Sequence, residues 1–387
     1  MADLGSRERT VLDWLAAQRP AMLALLEDLV NTDSGSYDKP GVDAVGAGLR
    51  KFLESHGLAP DLIPHERFGD ALRASVGSGP NTTILLMGHR DTVFPQGEAS
   101  RRPFRIEGSR AYGPGVADMK PGLVMNAFVL AAFAKFGGAP APLVGLFTGD
   151  EEIGSPFSRP LIETEARHAR AVFNAEPGRP SGAVVTARKG GVFMRLNVTG
   201  KAAHSGTSFE QGISAIEELA RKIVAVHALT DVGRGITVNV GIVRGGQTVN
   251  TVAPSAEAEV DLRFLARADR DVTMARIQSI VDLSYVPGTS AELEIFGEFL
   301  PLIETPDGER LYRHYAGCAE TLGLNAPAEF TGGCADSGFA ASVGAPTLCA
   351  TGPVGGKAHT PEEYLELDSI VPRAQALALA ILRLGQD

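Results

Sequence analysis

The stretch Ile84-Leu85-Leu86-Met87-Gly88-His89-Arg90-Asp91 passes from an apolar run straight into polar residues, and two later stretches do the same. The run 143–147 is followed by Asp150-Glu151-Glu152, and the run 171–173 by Glu176. Short, continuous apolar runs are typical of strands that are buried on both faces, as in a parallel sheet. Because ligands gather outside the carboxyl ends of such strands, we expect these polar residues to meet in one crevice.

Strand-like and helix-like segments alternate up to about residue 180, which indicates an α/β domain with a mainly parallel central sheet flanked by helices. The stretch 121–136 is apolar nearly all round, as expected of a buried helix, and Pro121 suits its first turn. Helical spacing of apolar residues over 7–30 predicts one or two amphipathic helices before the sheet begins.

The period of the pattern changes after Gly190. Residues 192–198 alternate between apolar and polar side chains, which is typical of a strand with one buried face. The segments that follow give the order β-α-β-β-α-β, which predicts a ferredoxin-like domain at 190–298, inserted into a domain formed by 1–189 and 299–387. A chain of 387 residues is also long enough for two cores.

Composition excludes some classes of protein without choosing a chemistry. The formal net charge of −10 disfavours a nucleic-acid or anionic-membrane surface. The N-terminal residues lack the features of a signal peptide, and no run approaches 18 apolar residues, so we expect a soluble, cytoplasmic protein. Three cysteines without a C-x-x-C pair argue against a disulfide framework or a thiolate zinc site.

Each polar motif has a structural alternative when it is considered alone. His89 could be an ordinary histidine at a strand end, or a metal ligand held by Asp91. Asp118, in a Gly/Pro-rich loop, could cap the next helix or bridge two cations. Asp150-Glu151-Glu152 could be a solvated acidic turn, or carboxylates whose repulsion is offset by cations. No local feature decides between these alternatives.

Considered together, six motifs in order resemble those of the M20 family of metallopeptidases, over about residues 10 to 385. This group includes acetylornithine deacetylase and succinyl-diaminopimelate desuccinylase, and the nearest likeness is to glutamate carboxypeptidase. The motifs are Gly88-His89-Arg90-Asp91-Thr92-Val93, Gly113-Pro114-Gly115-Val116-Ala117-Asp118-Met119-Lys120, Thr148-Gly149-Asp150-Glu151-Glu152-Ile153-Gly154, Asn174-Ala175-Glu176-Pro177, Gly200-Lys201-Ala202-Ala203-His204-Ser205-Gly206 and Ala358-His359-Thr360-Pro361-Glu362-Glu363.

The resemblance implies a site for two Zn²⁺ ions per subunit, for which Co²⁺ or Mn²⁺ could substitute. Asp118 would bridge the two ions, with His89 and Glu176 completing the shell of one ion. Glu152 and His359 would complete the shell of the other.

The resemblance also implies catalytic roles. Asp91 would orient His89, and Glu151 would be the general base that takes a proton from the attacking water and passes it to the leaving amine. His204, in the inserted domain, would reach the active site of a partner subunit and stabilise the oxyanion. The implied assembly is a homodimer through the inserted domain, which would also act as a lid.

Asn250 and Arg263 match family positions that hold the carboxylate of the substrate, and a guanidinium suits that task. The alternative for Arg263 is a pair with Asp261 or an exposed position on a strand. Glu176 stands where strict aminopeptidases of the family tend to carry Asp, which favours carboxypeptidase or deacylase chemistry.

Two departures from the family pattern concern the substrate pocket. Cys334 and Ala335 replace the small and hydroxyl residues usual in a Gly-rich loop. The carboxylate-binding lysine of the family has no clear match, and Arg188 or Lys189 is the available substitute.

The sequence therefore predicts a dinuclear zinc amidohydrolase or metallocarboxypeptidase that cleaves the amide bond to a C-terminal amino acid. The best guess is glutamate, in a folate-like N-acyl- or N-aroyl-glutamate. The first alternative is an N-acyl-amino-acid deacylase or a small-amide hydrolase of a catabolic pathway. Alternatives from other classes are a ligand-binding family member without catalysis and a nucleotide-binding enzyme, but the chain has neither a Rossmann fingerprint nor a P-loop.

Overall fold

The computed structural model describes residues 4–77 and 82–384, which divide into two compact units. The first unit comprises residues up to Ala187, Glu304–Thr331 and residues from Phe339 onward, and the second comprises Arg188–Ile303 and Gly332–Gly338. Residues 1–3, which belong to the N-terminal stretch considered for a signal peptide, lie outside the described residues. No helix within the described ranges is long and apolar enough to cross a membrane.

The second unit extends beyond the range 190–298 that the sequence pattern predicts. The backbone N–H of Arg188 donates to the carbonyl of Leu302 at 2.9 Å. This hydrogen bond joins a residue before the predicted range to a residue after it. The Nε of Arg188 donates to the carbonyl of Gly333 at 3.0 Å, which ties the later segment to the same unit. These long-range contacts leave no trace in the periodicity of the sequence.

The helices and strands are numbered in chain order. The helices are α1 (Ser6–Ala17), α2 (Arg19–Val30), α3 (Lys39–Ser55), α4 (Glu98–Arg101), α5 (Lys120–Lys135), α6 (Ser158–Ala166), α7 (Ala215–His227), α8 (Arg267–Asp282), α9 (Pro306–Thr321), α10 (Ser337–Ser342) and α11 (Ile370–Arg383). The strands are β1 (Asp61–Ile63), β2 (Ala71–Val76), β3 (Thr83–His89), β4 (Arg105–Glu107), β5 (Arg110–Tyr112), β6 (Leu143–Thr148), β7 (Ala169–Asn174), β8 (Val184–Arg188), β9 (Gly190–Thr199), β10 (Thr237–Gly245), β11 (Ser255–Phe264), β12 (Ser290–Phe299), β13 (Ala328–Thr331), β14 (Thr347–Leu348), β15 (Gly355–Gly356) and β16 (Tyr364–Glu366).

The main sheet of the first unit has the strand order β1-β2-β6-β3-β7-β14. Its strands β6, β3, β7 and β14 are parallel, and β1 and β2 pair antiparallel at one side. Every residue of β6 is buried, as the continuous apolar run predicted. The predicted α/β class with a mainly parallel central sheet is therefore confirmed.

Helix α5 contributes to the core of this unit and packs on β3 and β6. It is buried from Lys120 through Phe133, and Pro121 lies in its first turn, as the all-round apolar pattern predicted. Residues 7–30, whose apolar side chains have helical spacing, lie in the two helices α1 and α2. Met119, not Asp118, occupies the N-cap position of α5, so the capping alternative for Asp118 is wrong.

The second unit contains a four-stranded antiparallel sheet in the order β10-β11-β9-β12. Its elements follow the predicted order β-α-β-β-α-β, with α7 and α8 as the two helices. The buried side chains of β9 alternate from Val192 to Val198 and join the core of this unit, as the period-two pattern predicted. Strand β10 is at an edge of the sheet, and its second half is exposed.

A buried ion pair within α7 contacts the end of α8. Lys222 Nζ lies 2.9 Å from Glu218 Oε1, and both side chains are inaccessible to solvent. The ammonium group also donates to the carbonyl oxygens of Ile280, Val281 and Leu283. Because the last carbonyls of a helix lack partners within it, Lys222 caps α8 from a neighbouring element.

Candidate metal centre

Three strand ends place polar residues at one edge of the main sheet. His89 is the last residue of β3, Glu151 and Glu152 begin a 3-10 turn three residues after the end of β6, and Glu176 follows the end of β7 by two residues. Residue His89 lies opposite Thr148, the last residue of β6, in the parallel register. The adjacent parallel strands therefore deliver these side chains to the same crevice, as expected of an open α/β sheet.

His89 lies among three carboxylates. Its Nε2 atom is 3.3 Å from Asp118 Oδ1, 3.7 Å from Glu176 Oε1 and 3.8 Å from Glu151 Oε2. Its Nδ1 atom is 3.0 Å from the carbonyl oxygen of Asp91, and since a carbonyl only accepts, Nδ1 carries a proton. In the neutral ring this tautomer leaves the Nε2 lone pair directed at the carboxylates, as a metal ligand requires.

His359 lies on the other side of Asp118. Its Nε2 atom is 3.3 Å from Asp118 Oδ2 and 3.2 Å from Glu152 Oε2. One oxygen of Asp118 thus lies near His89 and the other near His359, an arrangement suited to a bridging carboxylate. His359 has a φ of +64°, a left-handed conformation that is uncommon for residues other than glycine and that often marks functional positions.

The electrostatics of the cluster fit bound cations. Hydrogen bonds to Asp118 and Glu152 raise the pKa of His359 to about 11, and burial raises the pKa of Glu152 to about 7. Burial opposes protonation of His89, but the charge of Glu151 and hydrogen bonds to Asp118 and Asp91 raise its pKa well above the usual value. In the absence of metal, the positive charge of protonated imidazoles thus offsets the negative charge of the carboxylates. Divalent ions would take the place of those protons.

The types of ligand atom also fit a metal ion. The three carboxylates of Asp118, Glu152 and Glu176 and the imidazoles of His89 and His359 form an oxygen and nitrogen donor set, which suits zinc. The groups His89, Asp118, Glu152 and His89, Glu151, Glu176 each offer atoms within 4.8 Å of one another. Oxygen Oε1 of Glu152 is buried and accepts no hydrogen bond from the described residues. The residues present therefore fit a metal centre.

Asp91 holds both the histidine and the acidic turn in place. Its carboxylate lies 3.4 Å from His89 Nδ1 and accepts hydrogen bonds from the backbone N–H of Glu151 and Glu152, each at 3.1 Å. The hydroxyl of Ser36 donates to the same carboxylate at 2.7 Å. The aspartate that the sequence associated with His89 thus contacts more of the site than the motif suggested.

Glu363 is the last residue of the sixth motif, and the sequence alone assigns it no role. Its Oε1 atom accepts the backbone N–H of Ala117 at 2.8 Å and of Asp118 at 2.9 Å, and its Oε2 atom accepts that of Gly115 at 3.1 Å. Burial raises the pKa of Glu363 to about 7 and lowers the pKa of Lys120, a buried cation near it, to about 7. Lys120 Nζ donates to the carbonyl of Thr32 at 2.8 Å. Glu363 therefore fixes the loop that carries Asp118.

Arg90 is a second residue that the sequence left without a role. Its guanidinium is fully buried and donates to the carbonyls of Thr148, Val42 and Asp70. It ties the end of β3 to the end of β6 and to α3. Backbone carbonyls distant in sequence are its partners, so no local signal could have identified this contact.

The remaining predicted residues lie in the second unit. His204 is exposed, and its Nδ1 accepts the backbone N–H of Gly206 at 3.0 Å and of Thr207 at 3.2 Å, so its proton is on Nε2. The carbonyl of Asn250 accepts the N–H of Ser205 at 2.9 Å, which brings the loops of His204 and Asn250 together. His204 therefore presents an N–H donor to solvent.

Arg263 has partners within its own unit. Its Nε donates to Asp261 at 2.7 Å, its guanidinium lies over the ring of Phe193, and its Nη1 contacts Cys334. The pair with Asp261 was the structural alternative for this residue. Lys189 donates to the carbonyl of Gly235 at 2.7 Å.

Comparison with known proteins gives a consistent result. A family model described as peptidase family M20/M25/M40 matches residues 85–383. The chain is 28% identical to carboxypeptidase G2 of Pseudomonas sp. (strain RS-16), over 98% of this chain and 93% of that protein. It is also 28% identical to acetylornithine deacetylase of Edwardsiella ictaluri (strain 93-146), over 94% of this chain and 98% of that protein. The M20 family metallo-carboxypeptidase Sso-CP2 of Sulfolobus solfataricus has a similar fold, with a TM-score of 0.76 at 18% identity, covering 94% of this chain and 99% of that one.

Proposed function

The chain belongs to peptidase family M20/M25/M40 and is a metal-dependent peptidase or amidohydrolase, and on this premise we propose a dinuclear zinc enzyme that releases a C-terminal amino acid, with glutamate as the best candidate. The observation that carries the two-metal proposal is the position of Asp118, whose two oxygens each lie 3.3 Å from a different histidine. His89 and Glu176 would complete one ion site, and Glu152 and His359 the other.

Two divalent ions in these sites would polarise the scissile carbonyl and lower the pKa of a water molecule. Glu151 lies at the edge of the cluster and would accept the proton of the attacking water and later donate it to the leaving amine. Asp91 would keep His89 and the backbone of Glu151 in position. His204, protonated at Nε2, would donate to the developing oxyanion of a site in a partner subunit.

Glutamate is proposed because the motifs resemble those of glutamate carboxypeptidase, and because a substrate carboxylate needs donors such as Asn250 and Arg263. Asp261 already pairs with Arg263, so binding would use the remaining guanidinium donors or would displace Asp261. An N-acyl-amino-acid deacylase is the second candidate, because the similarity to acetylornithine deacetylase also spans nearly the whole chain.

We also propose a homodimer through the second unit. Ile242 and Val243 on the edge strand β10 are exposed by 42% and 55%, and an apolar edge strand is a template for pairing with another chain. Light scattering after size exclusion should give twice the mass of the chain, and Ile242→Arg should lower it to one chain. A monomeric wild-type protein would contradict the proposed role of His204. The cytoplasmic location stays a prediction from the sequence.

The decisive experiment measures amine release by the zinc-loaded protein from N-acyl and N-aroyl amino acids. Glu151→Gln should lower kcat by about 10²–10⁴-fold, because it removes the general base. Zinc content should remain at two ions per chain in this variant. Release confined to glutamate derivatives supports the carboxypeptidase proposal, and release confined to simple acetyl amides supports the deacylase. Silence with two ions bound would contradict both.

A further inference from the structure

Arg102 joins two segments of the first unit that lie far apart in the chain. It directly follows α4, and its backbone N–H donates to the carbonyl of Glu98 at 2.8 Å. Its Nη1 atom donates to the carbonyl oxygen of Pro361 at 2.9 Å, over a separation of 259 residues. Pro361 is two residues from His359, which is a candidate metal ligand. The guanidinium therefore connects α4 to the segment that carries this ligand.

The segment 357–361 has mainly local contacts of its own. The N–H and the hydroxyl of Thr360 both donate to the carbonyl of Lys357, at 3.2 Å and 2.8 Å. Lys357 and His359 have φ values of +55° and +64°, and such left-handed residues persist only where the surrounding structure holds them. Among the described residues, the carbonyl of Pro361 is the backbone group of this segment that bonds to a distant element. The hydrogen bond from Arg102 is therefore an external support of this segment.

Arg102 is itself held firmly. Its Nε donates to Glu98, its guanidinium carbon lies 4.8 Å from the centre of the Phe94 ring, and its side chain is only 11% exposed. The start of α4 is fixed by the carboxylate of Asp33, which accepts two backbone N–H groups of the segment 97–99 at 2.7 Å and 2.8 Å. Because Asp33 lies three residues after the end of α2, the guanidinium is anchored to the body of the unit.

The hydrogen bonds of Arg102 give little stability beyond the contact with Pro361. Its Nη2 atom is buried and has no hydrogen-bond partner within the described ranges, and a buried donor without an acceptor destabilises a fold. Glu98 does not depend on Arg102 for a cation, because Arg101 donates to both of its carboxylate oxygens, at 2.8 Å and 2.7 Å. An apolar residue in place of Arg102 should therefore cost little stability while removing the support of Pro361.

We propose that Arg102 is a positioning residue for His359, and that it acts on one of two metal ions only. The inference rests on the two-ion centre proposed above, whose ions are named here the His359 ion and the His89 ion after their histidines. In the part of the chain that the structure describes, the hydrogen bonds of Arg102 reach α4 and Pro361, and none reaches a ligand of the His89 ion. Loss of Arg102 should therefore weaken the two ions unequally.

Zinc titration of Arg102→Met, in competition with a chromophoric chelator, tests the proposal. The affinity for the His359 ion should fall about tenfold, which is the scale expected when a residue that orients a ligand is lost. The affinity for the His89 ion should stay within about twofold. The melting temperature of the metal-free protein should change by less than about 4 °C, because Glu98 retains its contact with Arg101.

The matched control is Arg101→Met, which removes a guanidinium from the same carboxylate of Glu98 but does not touch Pro361. It should alter neither zinc affinity. Equal loss of both ions in Arg102→Met, or zinc affinities equal to wild type, overturns the proposal. If that variant does not fold, Arg102→Lys keeps the charge but lacks the planar fork that reaches Glu98 and Pro361 together, and unchanged affinity for the His359 ion in it overturns the proposal equally.

A double variant separates positioning from general distortion of the site. His359→Ala identifies the step of the titration that belongs to the His359 ion. In this background Arg102→Met should leave the remaining ion within about twofold, because the segment 357–361 then carries no ligand and the two changes act on the same ion. Further weakening of the remaining ion would show that Arg102 supports the whole site, and the proposal would be wrong.

Failure of the two-ion centre gives a separate result, because no step of this test needs turnover. A wild type that takes up one zinc ion contradicts the proposed centre, and the role of Arg102 then concerns that ion alone. His359→Ala and Arg102→Met should both weaken it. An ion that is insensitive to His359→Ala, or sensitive to His359→Ala but not to Arg102→Met, overturns the positioning role.

Discussion

Glu363 offers the sharpest test of how Asp118, the proposed bridging carboxylate, is held. Its carboxylate accepts three backbone N–H groups from the loop of Asp118. In Glu363→Gln, the amide oxygen can still accept from Ala117 and Asp118, but the new NH₂ group would face the N–H of Gly115. Two donors would then oppose each other in a buried position.

The expected loss of zinc affinity follows from these two opposed donors. A buried donor without an acceptor costs about 1–3 kcal/mol. If this cost appears as a poorer position of Asp118, zinc affinity should fall about tenfold to a hundredfold, since 1.4 kcal/mol corresponds to a factor of ten. The effect should appear in both ion sites, because Asp118 lies between His89 and His359.

The assay is zinc titration in competition with a chromophoric chelator, together with the melting temperature of the metal-free protein. Glu362→Gln is the matched control, because it makes the same change at the exposed neighbouring position. Zinc affinities equal to wild type in a folded Glu363→Gln protein would refute the positioning role. If that variant does not fold, Glu363→Asp retains the charge, and unchanged affinity in it would refute the role equally.

Three further predictions concern stability and orientation. Lys222→Met should lower the free energy of unfolding by about 3–5 kcal/mol in chemical denaturation, because it leaves Glu218 buried without its cation, whereas Arg221→Met at the exposed neighbour should cost less than about 1 kcal/mol. Burial alone would raise the pKa of Glu218, but hydrogen bonds from Lys222 and the backbone hold that pKa below 4.5. The ionised carboxylate therefore stabilises the fold above about pH 4.5, and this contribution is lost as the pH falls. Glu218→Gln should flatten the dependence of unfolding free energy on pH in the acid range, and an unchanged dependence would contradict this account. Asp91→Asn should weaken zinc binding or turnover about 10–100-fold, because it disturbs His89, and wild-type values for both would exclude the orienting role.

The sequence could predict the strand ends because the apolar strands and the polar residues that follow them differ in composition. The apolar runs before His89 and after Pro142 became β3 and β6, and the parallel register brought their ends together. The order of strands and helices in the inserted domain followed from the change in the apolar pattern after Gly190. In these places, local pattern and tertiary position agree.

The sequence could not predict contacts whose partners are distant along the chain. Glu363 reaches Gly115 over a separation of 248 residues, and Ser36 reaches Asp91 over 55. Neither contact has a periodic signal, since a single side chain meets a backbone group or another single side chain.

The order in which the chain supplies its ligands bears on biosynthesis. His89, Asp118, Glu152 and Glu176 precede the second unit, whereas His359 and Glu363 follow it. While the ribosome is still making the intervening segment, the emerging chain has the histidine for one ion but not the histidine for the other. If the proposed two-ion centre is correct, the two ions should enter in sequence, the second only after synthesis has passed His359, so that incomplete translation products lack a hydrolytic centre.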